Sequence, residues 1–196
     1  MSPILLWIAA LALAVTSVGL LLSRDWRWSL GLLAIQYFAA FWLVSVHWPL
    51  TMSAAKLVTG WMAAAVLGMT RLNIKDDSVG ETSWPEGRLF RIFAAALFLV
   101  TISAAASSLT IWLPDAGLPA IWGALVLIGL GLLHLGMTLH PLKVILGLLT
   151  TLLGFEILYS TVENSILVAG LLAVVTLGLA LTGSYLLTLS SVADSE

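Results

Sequence analysis

Seven stretches of nearly unbroken apolar residues alternate with polar breaks along this chain, at Ile4–Leu22, Ser29–Val46, Met52–Met69, Ile92–Trp112, Pro119–Thr138, Leu142–Ser160 and Ser165–Leu189. Each runs about 18–25 residues, enough to cross roughly 30 Å of hydrocarbon as a helix rising about 1.5 Å per residue. None shows the apolar–polar alternation over about 10 positions that marks a barrel strand. The pattern predicts an all-α integral membrane protein with seven transmembrane helices.

The cations support that count independently. With seven spans, Arg24 and Arg27 fall in the first loop, Arg71, Lys75, Arg88 and Arg91 in the third, and Lys143 beside the fifth. The even loops, around His47–Leu50, Leu113–Leu118 and Thr161–Asn164, contain no Lys or Arg. Positively charged loops stay cytoplasmic, so the expected topology is N-terminus out and C-terminus in. Six or eight spans would scatter the same charges over both faces. The first apolar run lacks a basic leader and is longer than a signal-peptide core of about 7–15 residues, so it reads as a retained helix. Of the eight Lys and Arg residues, only Lys56 falls within a span.

Composition narrows the class. Hydrophobic residues make up 61% and charged residues 9% of the chain, against about 25% charged in a soluble domain. Seven spans in 196 residues leave almost nothing for a soluble domain, so the expected location is the membrane itself. The net charge of −2 gives no argument for nucleic acid. The absence of cysteine excludes disulfides, thiolate metal sites and thioether-attached haem. The organisation reads as three helices over residues 1–70, a cytoplasmic loop over 71–91 and four helices over 92–196. That loop carries Asn73–Ser78, Gly80, Trp84–Pro85 and Gly87. Its charge, Pro and Gly suit either a solvated linker or a docking surface.

Trp26, Trp28, Trp48, Trp112 and Trp122 fall at span edges, where an indole favours the headgroup level. Trp42 and Trp61 lie deeper and are expected to fill helix interfaces. Small residues, among them Ala104–Ser108, Gly129, Gly136, Gly147, Gly154, Gly170, Gly178 and Gly183, are expected to let helix backbones approach closely.

Candidate chemistry rests on the few polar groups at membrane depth. Glu156 is the only carboxylate inside a span. A charge there costs at least about 2.5–3.5 kcal/mol, so it is paired, protonated or facing a wet cavity. Tyr159, Ser160 and Glu163 follow at helical spacing and make a polar stripe toward the outer surface. Such a stripe suits a proton path, or a carboxylate that solvates itself at a helix end. Lys56 enters the third span to a similar depth, so the two opposite charges are positioned to pair across helices; the alternative is a lysine snorkelling outward. Gln36, midway along the second helix, must hydrogen-bond within the protein. Thr101, Thr150, Thr151 and Thr176 can bond their own backbones and carry little information.

His47 and His134 belong to opposite membrane faces and are not placed to ligate one iron together. His134 is a weak candidate ligand for a single pigment; a histidine bonded to a neighbouring helix is the plainer reading. No Ser, His and Asp share one depth for hydrolysis, and no Gly-rich loop suggests nucleotide binding. No cofactor or metal is expected.

The run Arg27-Trp28-Ser29-Leu30-Gly31-Leu32-Leu33-Ala34-Ile35-Gln36 resembles the start of the second helix in the component E subunit of hydrogenase-4-type complexes. A third helix with a buried lysine, here Lys56, is similar too. Leu153-Gly154-Phe155-Glu156-Ile157 resembles the Leu/Ile-Gly-Leu-Glu-Ile motif of complex I subunit K, a helix trio also found in the corresponding small component of multisubunit cation/proton antiporters. The resemblance covers most of the chain in layout and few positions in detail. It departs from the family in the last helix, where Ser165–Leu189 has no acidic residue. Matching Gly147 instead of Gly154 to the family glycine would move the acid position to Leu149 or Leu152. The resemblance implies a membrane subunit of a respiratory or antiporter complex, beside antiporter-like subunits. It would contribute to proton or sodium translocation through Glu156, Lys56, Ser160, Glu163 and Gln36, without catalysing redox chemistry itself. The alternatives are a structural or tetrapyrrole-binding subunit and a small stand-alone transporter.

Overall fold

A computed structural model describes residues 3–74 and 87–193. Seven α-helices follow one another: α1 Pro3–Leu22, α2 Trp26–Val44, α3 Leu50–Asn73, α4 Arg88–Leu109, α5 Leu118–Gly136, α6 Pro141–Val162 and α7 Ile166–Ala193, with a short 3-10 turn at Pro114–Ala116. All seven are long and apolar enough to span a membrane. Lys75–Glu86, most of the central loop expected from the sequence, lies outside the described residues.

Local chemistry sets the helix starts. Proline stands at or beside the first turn of α3 (Pro49), α5 (Pro119) and α6 (Pro141). There its missing N–H costs nothing and its fixed φ suits the helix. Gly117, at φ 72°, supplies the left-handed corner that turns the chain into α5. Compared with the apolar runs, α2 begins earlier, α3 extends at both ends, and α4 is displaced toward Arg88. Hydropathy marks where a helix meets lipid, whereas hydrogen bonding carries the helix on into polar flanks.

The tightest packing joins α5 and α6. A Cβ on Gly154 would come within 2.6 Å of Ala124 O, and one on Gly131 within 3.1 Å of Gly147 O. These glycines bring two backbones together, as expected of small residues in lipid. Others do not: Gly136, Gly170 and Gly178 face open space, and Ala104, Ala105 and Ser107 are exposed. The exposed face of α4 is therefore not a packing seam within this chain. Trp42 and Trp61 are also about half exposed instead of filling interfaces. Trp42 joins Phe38 and Phe41 in an outward aromatic group, and Trp61 Nε1 donates to Ala34 O at 3.1 Å. A flat indole can lie along a neighbouring helix without being enclosed by it.

α2 packs against α3 and α6, and α7 packs against the same two, whereas α3 and α6 are not close backbone neighbours. These four helices form a ring with α3 opposite α6 and α2 opposite α7. α1, α5 and α4 pack outside it, α1 on α2 and α5, and α4 on α5.

Two faces follow from the helix order. One, called here the N-terminal face, carries the start of α1, the α2–α3 loop, the 3-10 turn and Glu163. The other, the basic face, carries Arg24, Arg71, Arg91 and Lys143. On the basic face Arg91 is buried and donates from Nη1 to Leu21 O at 3.3 Å. A cation is thereby placed on the carbonyls at the C-terminal end of α1, where the helix dipole favours it.

Candidate functional site

α3 turns Ser53, Lys56, Gly60, Ala63 and Leu67 inward, a buried face at three- and four-residue spacing. α6 does the same with Leu149, Thr150, Leu153, Glu156, Ile157 and Ser160. Lys56 and Glu156 meet across the ring as an ion pair between Nζ and Oε1. Lys56 is 6% exposed and Glu156 1%. Both lie six residues from the N-terminal-face end of their helices, or about 9 Å along the axis. That is deeper than the hydropathy boundaries imply, by the same amount for each, because both helices outrun their apolar stretches. Neither charge snorkels. Apart from this pair, Lys56 Nζ and both carboxylate oxygens of Glu156 have no hydrogen-bond partner among the described residues.

Trp48 sets this register. It is buried in the α2–α3 connection, donates from Nε1 to Glu163 O at 2.9 Å, and meets Tyr159 edge-on at 6.2 Å. Tyr159 in turn stacks on Phe155. The start of α3 is thereby fixed to the end of α6, which brings Lys56 and Glu156 to equal depth. A tryptophan at a span edge reads in sequence as a headgroup anchor; nothing in the sequence marks it as a clamp.

The expected stripe beyond Glu156 is present in part. Ser160 is buried on the same face, and its hydroxyl donates to Ile157 O at 2.7 Å instead of to the carboxylate. Glu163 is exposed at the surface. Ser53 is fully buried one turn before Lys56 and donates to Pro49 O at 3.3 Å. Both hydroxyl oxygens retain lone pairs able to accept a proton-bearing group. The pair is thus flanked by a hydroxyl on each helix, both toward the N-terminal face.

Gln36 occupies a separate node. Its Nε2 donates to Ser17 Oγ on α1 at 2.8 Å, and its Oε1 accepts from Thr150 Oγ1 at 3.2 Å. Gln36 is fully buried near the middle of α2, and the three groups join α1, α2 and α6. Thr150 therefore does more than bond its own backbone. No hydrogen bond connects this node to Glu156 among the described residues. An amide with one donor and one acceptor already engaged also relays protons poorly, since relay would require a tautomer change. The structure thus does not join Gln36 to Glu156, Lys56 and Ser160 as one chain.

Tyr37, the next residue, is 1% exposed. Its ring lies directly on Gly60, leaving no space for any side chain there. Its hydroxyl turns toward Thr176 on α7 without closing a well-formed hydrogen bond, and the Thr176 hydroxyl donates to Leu172 O at 2.9 Å. Beyond Tyr37 toward the basic face, Leu33, Ala63, Leu67, Leu146 and Leu149 are all essentially buried. Sequence reading missed Tyr37, since one tyrosine in a Phe- and Trp-rich span carries no signal of its own.

His134 is buried near the basic-face end of α5, with Arg91 and Lys143 close enough to act on it electrostatically. Its Nε2 has no hydrogen-bond partner among the described residues. His47 lies on the other face, with Nε2 3.3 Å from Asp115 O. No group of three His, Cys, Asp or Glu side chains is arranged to hold a metal ion among the described residues. A surface cavity of about 200 Å³ between Trp112–Ala116 and Thr161–Val162 lies on the N-terminal face, away from the ion pair. Set against protein-family models, curated proteins and solved structures, the chain matches none of them. The class that stands is an all-helical protein with seven helices able to span a membrane and a buried Lys–Glu pair inside a four-helix ring.

Proposed function

We propose that this chain is a membrane subunit of a multisubunit respiratory or cation/proton antiporter complex, and that it contributes to proton or sodium movement through Glu156 and Lys56. The observation that carries this reading is the ion pair itself, two titratable groups buried at equal depth inside a ring of apolar helices. Ionisable groups at membrane depth mark ion pathways or proton relays in preference to structural roles. Ser53 and Ser160 supply polar surroundings on the side facing the N-terminal surface, and Glu163 stands exposed beyond them. The resemblance of Arg27–Gln36 and Leu153–Ile157 to hydrogenase-4 component E and complex I subunit K supports the same class. In this reading the basic face is cytoplasmic, the N-terminus is external, and the membrane is a bacterial inner membrane. Antiporter-like subunits are the expected neighbours.

Glu156→Gln tests the proposal, because it keeps size and one accepting oxygen for Lys56 while removing the titratable charge. Ion coupling in sealed vesicles, normalised to assembled complex, is expected to fall sharply. Normal coupling in that variant would make the chain a scaffold.

A further inference from the structure

The interior of the four-helix ring is asymmetric about the ion pair. Toward the N-terminal face, Ser53 and Ser160 place one hydroxyl on each of α3 and α6 within a turn of the charges. Toward the basic face the sequence of groups is Gly60 under the Tyr37 ring, then Ala63 and Leu67 on α3, with Leu149 and Leu146 on α6. The ion pair lies across one diagonal of the ring, α3 to α6, while Tyr37 and Thr176 lie across the other, α2 to α7. Thr176 is ten residues into α7, or about 15 Å from that helix's start on the N-terminal face. Gly60, on which the Tyr37 ring lies, is likewise ten residues into α3, so the two groups that the Tyr37 side chain meets are about one turn deeper than the ion pair.

We propose that Tyr37, seated on Gly60 and abutting Thr176, is a plug that closes the ring axis beneath the Lys56–Glu156 pair, so that the pair reaches water from the N-terminal face alone. This rests on the ion-path reading and specifies its geometry as a half-path. A packed aromatic ring fills the space a water file would need. Its hydroxyl closes no hydrogen bond to the pair or to the Gln36 node, so the ring acts by occupying space and not by passing protons. Gln36, hydrogen-bonded to both α1 and α6, fixes the rotation of α2 that aims its neighbour Tyr37 at α3.

The chain has no cysteine, so single cysteines report accessibility without background. Full-length Lys56→Cys, Ser160→Cys and Ala63→Cys would be treated with a membrane-impermeant thiol reagent in vesicles of each orientation. Lys56→Cys and Ser160→Cys are expected to react from the N-terminal face. Ala63→Cys is expected to react at least about tenfold more slowly from that face, as a site needing local opening does. Adding Tyr37→Ala is expected to expose Ala63→Cys to the N-terminal face, while Tyr37→Phe keeps it protected. Should Tyr37→Ala fail to assemble, Tyr37→Leu replaces it as a smaller plug with the same expectation. The plug is overturned if Ala63→Cys reacts as fast as Lys56→Cys with Tyr37 intact. Equal labelling of Ser160→Cys from both faces, silence of Ser160→Cys from the N-terminal face, or continued protection of Ala63→Cys after Tyr37 is truncated would do the same. Unchanged transport in Glu156→Gln would instead sink the ion-path reading and leave these labelling results standing.

Discussion

Removing one member of the Lys56–Glu156 pair and removing both should have opposite consequences for stability. At a contact separation of about 4 Å and an effective dielectric of about 20, the attraction is about 4 kcal/mol. Lys56→Met leaves Glu156, 1% exposed and with no other partner among the described residues, as an uncompensated buried carboxylate. Breaking a buried pair in this way costs about 3–5 kcal/mol. Glu156→Leu strands Lys56 equally. The double variant Lys56→Met/Glu156→Leu removes both desolvation costs and refills similar volume, and such replacements are neutral or stabilising by about 1–4 kcal/mol.

The assay is reversible unfolding in bicelles or mixed micelles across the four members of the double-mutant cycle. Each single variant is expected to lose about 3 kcal/mol or more, with the double variant at or above wild-type stability. The double variant is also expected to assemble normally and to show no ion movement. Single variants costing under about 1 kcal/mol, within the range of exposed pairs, would refute the burial argument. A double variant as unstable as the two single losses combined would refute the coupling.

Gly60→Ala is expected to destabilise by about 1–3 kcal/mol through the clash with the Tyr37 ring, and Tyr37→Leu in the same chain should recover part of that loss in the same unfolding assay. Gln36→Leu is expected to cost about 1 kcal/mol, since it frees a Ser17 and a Thr150 hydroxyl inside the bundle, where interhelical hydrogen bonds average about 0.6 kcal/mol; a larger loss would mean that the node does more than hold helices. A reporter fused after Glu196 should read as cytoplasmic and one in the Asp115 loop as external. Finding Arg88 and Asp115 on one side would end the topology. Glu163→Gln should leave ion coupling near wild type, because an exposed carboxylate already has water at hand.

Helix number and approximate spans were legible in the sequence because apolar length is a one-dimensional property. The depth match of Lys56 and Glu156 was legible too, since counting residues from a helix end fixes height. What counting leaves open is azimuth. Whether Lys56 points at Glu156 or at lipid depends on which helices are neighbours, and the ring that brings α3 opposite α6 follows from packing between distant segments. Thr150 and Ser17 illustrate the same point. Taken singly, Thr150 looks like a hydroxyl bonded to its own backbone and Ser17 carries no signal; only the approach of α1, α2 and α6 makes them the two partners of Gln36. Gly136 and Gly178 erred in the other direction, small residues that meet no neighbour. Composition identifies which positions permit close approach, and the partner decides whether it happens.

Contacts other than the charge pair also hold the ring. Trp48 fixes α3 to the end of α6, Tyr37 packs on Gly60, and Leu33, Leu67, Leu146 and Leu149 fill the basic-face half. A methionine and a leucine in place of Lys56 and Glu156 would serve packing equally well at lower desolvation cost. One structural use remains for the pair: fixing register, since a sliding α3 would carry Lys56 away from Glu156. Trp48 already performs that task at the N-terminal face, about 9 Å from the charges along each helix. The double variant separates register from the ion exchange proposed for the pair: a folded variant with wild-type coupling would leave the charges no role in transport.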